Sequence, residues 1–173
     1  MSLDRIREFI SYDPETGAFR WIAKPKGRGY PFKVGDIAGC IRKDGRRVIG
    51  FDGKLYLGSR LAWFFSYGEM PPEDIEVDHE DRNPGNDRID NLRLATRSQN
   101  MMNTAAHMGA ASKFKGVNWH PKAERWTARF RGKYIGLFDD EADAARAYDA
   151  AALAFSPTFA RVNFPEGGAA CPA

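Results

Sequence analysis

The reading turns on residues 77–103: Val77-Asp78-His79-Glu80-Asp81-Arg82-Asn83-Pro84-Gly85-Asn86-Asp87-Arg88-Ile89-Asp90-Asn91-Leu92-Arg93-Leu94-Ala95-Thr96-Arg97-Ser98-Gln99-Asn100-Met101-Met102-Asn103. Val77 and the apolar residues before it predict a short strand ending at Asp78-His79. Residues 82–87 are dense in turn formers and predict an exposed loop. Asn91-Leu92-Arg93-Leu94 alternates polar and apolar, which predicts a second strand. Thr96 to Gln99 has the form of a helix-start capping box, so Asn100 falls in the first turns of a helix. The predicted unit is strand, long loop, strand, helix. It gathers a carboxylate, an imidazole and side-chain amides, the groups that bind a cation and move a proton. Each Asn or Asp taken singly is as well explained by turns and caps; the set at this spacing is not.

This pattern resembles the HNH nuclease motif in its phage and homing-endonuclease form, where asparagine replaces the last histidine. The matching residues are Asp78-His79, Asn91 in Asp90-Asn91-Leu92-Arg93, and Asn100 in Ser98-Gln99-Asn100. The resemblance implies a ββα-metal motif at about 75–105. It implies Asp78 and Asn100 as oxygen ligands of one divalent cation, His79 as general base, and Asn91 as the partner that orients the imidazole. Carboxylate and amide oxygens are hard ligands, favouring Mg²⁺ or Mn²⁺ over Zn²⁺. Held by only two side chains, such a cation keeps positions for water and phosphate oxygens and acts as a Lewis acid on the scissile phosphate. Histidine titrates nearest neutrality, as a base at cellular pH must. Arg93 and Arg97 flank the motif as candidate phosphate clamps, or as plain solvated charge.

At 173 residues the chain suffices for one ordinary domain or two or three small ones. The net charge of +3 says little, but its distribution says more. Between residues 20 and 60 there are 11 Lys/Arg against 3 Asp/Glu; between 69 and 90, 9 acidic against 2 basic; between 113 and 133, 7 basic against 1 acidic. Two basic blocks, which suit a polyanion, flank an acidic one that suits a cation. Only Cys40 and Cys171 are present, far apart, which argues against a zinc knuckle or disulfide framework. No apolar run is long enough for a membrane span, and the start does not read as a signal peptide, so a cytoplasmic setting in a bacterial or phage-infected cell is expected.

Ahead of the motif, Leu3, Ile6, Phe9 and Ile10 predict a short amphipathic helix. Asp13-Pro14-Glu15-Thr16-Gly17 predicts a turn into a strand at 19–21, and residues 24–30 a basic, Gly-rich loop. Strands are expected at 38–41, 46–51 and 54–57, the last two joined by an Asp52-Gly53 hairpin. Ser59 is a candidate N-cap for a helix over 60–67, closed by Gly68. The region also resembles what precedes the HNH motif in phage endonucleases, which usually reads His-Arg-Leu-Ala-Trp; here Ser59 stands in the histidine's place.

Behind the motif, residues 106–112 predict a linker and 113–165 a second module: strands at 114–120, 125–131 and 134–138, then a helix with Ala144, Ala147, Tyr148, Ala151 and Phe155 along its apolar stripe. Lys115-Gly116-Val117, Trp126-Thr127-Ala128-Arg129-Phe130, Gly136-Leu137-Phe138, residues 144–151 and Val162-Asn163-Phe164 resemble an AP2-type DNA-binding domain. The resemblance implies a three-stranded sheet reading the major groove of double-stranded DNA. The family's contact positions fall on Lys115, Asn118, His120, Arg129, Arg131 and Tyr134. Strand alternation also sets Arg125, Thr127, Arg129 and Arg131 outward and Trp126, Ala128 and Phe130 inward. Trp119 and Trp126 are expected in the core. Residues 166–173 are expected to be a disordered tail.

The fold class is therefore α+β, with a cleaving module at 1–105 and a positioning module behind it. The implied activity is metal-dependent hydrolysis of DNA by a homing or phage-type nuclease, with one cation per site and no protein partner evident. One active site per chain suits a nickase, while a double-strand cut, and monomer against dimer, stay open. A non-catalytic DNA-binding regulator that keeps the scaffold is the rival; the intact Asp78, His79, Asn91 and Asn100 argue against it. An RNA target fits less well, because the A-form major groove is too narrow for such a sheet. Deleting everything after Ser112 is expected to blur site choice while sparing some activity.

Overall fold

A computed structural model describes residues 3–25, 31–104 and 111–165. Helices and small antiparallel sheets are mixed, so the α+β expectation holds. The chain divides into two compact units, Met1–Thr96 and Arg97–Ala173. That division lies ahead of the linker expected at 106–112 and assigns residues 97–104 to the C-terminal unit. Most of the basic loop (26–30), most of the linker (106–110) and the whole tail (166–173) lie outside the described residues.

In the first unit, the expected opening helix is a 3₁₀ segment, Leu3–Glu8. It stops because Ile10 is taken by a strand not foreseen in the sequence. β1 (Ile10–Asp13) pairs with β2 (Ala18–Trp21) across the predicted turn, closed by Gly17 N–H donating to Asp13 O at 2.9 Å. β3 (Cys40–Ile41), β4 (Arg47–Phe51) and β5 (Lys54–Leu57) form a meander. Asp52 and Gly53 take φ of 49° and 75°, the left-handed pair that a tight hairpin of this twist requires. The helix α1 (Gly58–Tyr67) starts directly off β5 with Leu57 as its uncapped N-cap. Ser59, expected as the cap, is instead buried within the first turn. The predicted stop at Gly68 holds: φ is 85°, and its N–H donates to Phe64 O at 2.9 Å.

The strand ending in Asp78-His79 is present as β6 (Ile75–His79), paired with β7 (Leu92–Thr96). Ile89–Asn91 is a 3₁₀ turn rather than the start of β7. Ile6, Ile10, Phe19, Ile49 and Leu61 are fully buried, with Phe64 and Leu92 packed beside them. Each such burial stabilises by roughly 1.5–3 kcal/mol. Leu92 joins this core from the residue opposite His79, so the motif hairpin is anchored at the end that carries the histidine.

In the second unit, α2 (Arg97–Asn103) is followed by β8 (Val117–His120), β9 (Arg125–Phe130) and β10 (Lys133–Phe138) in the order β10-β9-β8, and by α3 (Glu141–Phe155). Asp140 caps α3, its Oδ1 accepting the Ala142 and Asp143 amides at 2.7 and 3.1 Å. Ala144, Ala145, Tyr148 and Ala152 are buried, and Val117, Ala128 and Phe130 meet them from the sheet. Small residues let the helix lie close: a Cβ on Gly116 would come within 2.0 Å of the Tyr148 ring.

Candidate active site and nucleic-acid face

The antiparallel register of β6 and β7 sets Asp78 opposite Arg93 and His79 opposite Leu92. Asp78 is 4% exposed. Its Oδ2 accepts from Arg93 Nε at 2.9 Å, and Arg93 Nη1 lies 3.7 Å from Glu80. Arg93, expected as a phosphate clamp, is thus engaged with the carboxylate it faces across the hairpin. Arg97 is exposed at the start of α2.

His79 is 9% exposed, and its Nε2 lies 3.1 Å from Asp87 Oδ1. Asp87 was not foreseen as a functional residue. It sits 1% exposed at the end of the turn-rich loop. A carboxylate at that depth is rare unless partnered, and three elements converge on it. Tyr12 Oη donates to its carbonyl at 2.7 Å. Arg47 Nε stands 4.0 Å from its Oδ2, although neither of these atoms makes a hydrogen bond. Gly58 opens the space for it, since a Cβ there would lie 2.2 Å from Asp87 Oδ2.

Asn91 does not take the imidazole, contrary to the role the resemblance implied. Its Nδ2 donates to Asp81 Oδ1 at 3.0 Å and to Asn86 O at 2.9 Å, and its Oδ1 accepts the Asp81 amide at 3.0 Å. Asp81 Oδ1 also accepts the Asn83 amide, and its Oδ2 accepts Asn86 Nδ2 at 2.7 Å. Partial burial opposes charge on Asp81, but the bonds from Asn86, Asn83 and Asn91 outweigh it and hold its pKa below the ordinary carboxylate value. Asn91 therefore clasps the loop that carries Asp87, and Asp87 reaches the histidine. A polar recess of about 380 Å³, lined by Glu80, Asp81, Asn86, Arg88, Asp90 and Asn91, opens on this loop.

Among the described residues no group of three or more His, Cys, Asp or Glu side chains could hold a metal ion. The carboxylate of Asp78 and the amide of Asn100 are each oxygen donors of the kind an oxygen-preferring divalent ion takes. Asn100 lies in α2, partly buried.

The sheet of the second unit offers a different surface. Register puts Asn118 opposite Thr127, His120 opposite Arg125, and Arg129 opposite Tyr134, all on the side away from α3. Tyr134 is 57% exposed, and Arg129 and Asn118 are exposed. The other candidates are already engaged. Arg125 grips Asp139 through Nε at 2.7 Å and Nη2 at 3.1 Å. His120 Nδ1 accepts the Ala123 amide at 3.1 Å and so shapes the β8–β9 turn. Thr127, though outward, is buried between its neighbours and donates to Asn118 O.

Two candidates leave this face altogether. Arg131 has φ 51° in the β9–β10 turn and lies 4.3 Å over the Phe155 ring of α3. Lys115 turns its ammonium to the carbonyls at the end of α2. Trp119, expected in the core, is 41% exposed and meets Trp126 edge-on at 5.1 Å. It lies on the α3 side of the sheet by register but outside the core that α3 covers.

Residues 56–102 match the family model for HNH endonucleases, which places an HNH endonuclease domain on the end of β5, α1, the β6–β7 hairpin and most of α2. A 60-residue stretch is 52% identical to APETALA2-like protein 2 of rice, in both Oryza sativa subspecies indica and japonica, covering 31% of this chain and 14% of that protein. A 65-residue stretch is 40% identical to Protein 3.8 of Escherichia phage T7, covering 38% of this chain and 53% of that protein. The chain thus spans about half or less of the curated relatives it matches. No described helix is long and apolar enough to cross a membrane.

Proposed function

We propose that the chain is a divalent-metal-dependent DNA endonuclease in which His79 is the general base and the outer face of β8–β10 contacts duplex DNA. The observation that carries the reading is the buried Asp87–His79 contact at the end of β6, inside the HNH endonuclease match. An ionised carboxylate only accepts, so the bond at Nε2 fixes the proton there and leaves the ring's lone pair on Nδ1. Nδ1 is then the atom that takes a proton from the attacking water. Asp87 also stabilises the imidazolium formed once that proton has moved, as a buried carboxylate does behind other catalytic histidines.

Asp78 and Asn100 would hold the cation, Mg²⁺ or Mn²⁺ by donor type. When bound, it supplies Lewis-acid stabilisation for charge building on the phosphate and the leaving oxygen. Arg93 balances the charge of Asp78 and keeps that carboxylate at the hairpin's end. On the sheet, Arg129 and Tyr134 are the exposed pair best suited to meet the duplex, with Asn118 and His120 on the same face. Arginine pairs bidentately with guanine edges, so Arg129 is the residue assigned to base reading.

The test is relaxation of supercoiled plasmid with Mg²⁺, with EDTA as control, followed by analysis of the ends. The reading expects Mg²⁺-dependent nicking or cutting with 5′-phosphate and 3′-hydroxyl products. Tight duplex binding with no cleavage under any divalent cation would return the chain to the regulator reading.

A further inference from the structure

We infer that Lys115 is a positioning residue for the helix that bears Asn100, and not a duplex contact. The inference rests on the reading above for the role of Asn100, but its geometry stands apart from it. α2 has only seven residues. A helix that short is marginal in water, and its last carbonyls lack partners within the helix. Lys115 Nζ lies 2.6 Å from Met102 O, 2.8 Å from Thr104 O and 3.3 Å from Met101 O. An ammonium has three hydrogens, and here three carbonyls converge on it. A cation at this end also meets the negative pole of the helix dipole.

The lysine is itself fixed on both sides. Its amide donates to Asn163 Oδ1 at 2.7 Å, and Asn163 Nδ2 donates to its carbonyl at 3.2 Å. Asn163 is tied in turn to Asp149 of α3 by its amide at 2.7 Å and its Nδ2 at 3.0 Å. The adjoining Gly116 sits against the Tyr148 ring with no room for a side chain. Met102 supplies the apolar half of the same latch, buried with Phe130, Tyr148 and Ala152. Burial, then the nearby Arg161, pull the Lys115 ammonium down to about 8, so it is still charged at neutral pH. The unit bearing the sheet therefore also holds the helix that carries a proposed metal ligand.

Two variants separate latch from phosphate contact. Lys115→Met keeps the stem and removes the hydrogens. Lys115→Arg keeps the charge and would meet phosphate at least as well, but puts a larger planar head where the three carbonyls now converge on a single nitrogen. Three readouts are taken on the full chain: hydrogen exchange of the α2 amides, duplex affinity in EDTA, and single-turnover cleavage in Mg²⁺. The latch expects α2 exchange to quicken by about tenfold or more in both variants, with affinity within about twofold and cleavage reduced. Unchanged α2 exchange would overturn it, and so would loss of affinity in Lys115→Met restored in Lys115→Arg. If the wild-type chain fails to cleave, the nuclease reading falls while the exchange data still decide the latch.

Discussion

The polar residues around His79 and those on the outer face of β8–β10 are both candidate machinery, yet they are built in opposite ways. Asp78, His79 and Asp87 are nearly sealed from solvent and bonded to named neighbours on the β6–β7 hairpin and its loop. Arg129 and Tyr134 stand exposed on the sheet. A buried polar group costs several kcal/mol when its partner is lost, whereas an exposed one costs little to the fold. On the proposed reading, the first set is preorganised for chemistry on a small group and the second left adaptable for a large partner. Substitutions in the hairpin should then damage stability and turnover together, and those on the sheet should move affinity alone.

The largest effect after loss of the base itself is expected at Asp87. Asp87→Ala should destabilise the chain by about 1–3 kcal/mol, the usual cost of leaving a buried donor without its acceptor, here the ring nitrogen of His79. Thermal unfolding measures it. Asp87→Asn keeps an acceptor for Nε2 and should spare much of that stability. It should still lower kcat by roughly 10²-fold at unchanged KM, because the imidazolium loses its counter-charge. Equal kcat for Asp87→Asn and wild type would reduce Asp87 to a structural residue.

Gly58→Ala comes next. Its Cβ would fall 2.2 Å from Asp87 Oδ2 and 2.9 Å from Arg47 Cβ, so a cost of about 1–3 kcal/mol is expected from overpacking, read by urea unfolding. It should also lower cleavage by displacing Asp87, and a neutral result would mean that the loop yields freely. On the sheet, Arg129→Ala should weaken specific duplex binding by about 1–3 kcal/mol while leaving kcat intact, measured by titration and single-turnover cleavage. The smallest effect belongs to Arg125→Ala. Its pair with Asp139 is solvent-exposed, so stability should change by less than about 1 kcal/mol. A large loss of affinity there would show that Arg125 leaves Asp139 for DNA.

Most of the motif was legible in the sequence because it is local. The hairpin with Asp78-His79 at its end, the Asp52-Gly53 turn and the Gly68 stop all follow from turn chemistry and short-range pattern. What escaped depends on contacts distant in the chain. Asp87 sits among turn formers and looks like one more of them; its burial is set by Tyr12, Arg47 and Gly58 from three other elements. The resemblance gave Asn91 to the imidazole, yet both hydrogens of its amide are taken within its own loop. Lys115 was counted as a contact because the AP2 resemblance places one there, and Arg131 was counted with the outward row because alternation extrapolates past strand ends. One turns back to carbonyls and the other folds over Phe155. The expectation that deletion after Ser112 spares activity changes too. That deletion removes Lys115 and the partners of Met102, so cleavage should be lost along with site choice.

The claim beneath all of this is that His79, held by Asp87, moves the proton. Plasmid nicking in Mg²⁺ by wild type and His79→Ala, with duplex affinity measured in EDTA on the same preparations, tests it most directly. The account predicts that nicking falls by about 10³-fold or more while affinity stays within about twofold. Nicking by His79→Ala at the wild-type rate would contradict it, as would loss of binding in step with loss of cleavage.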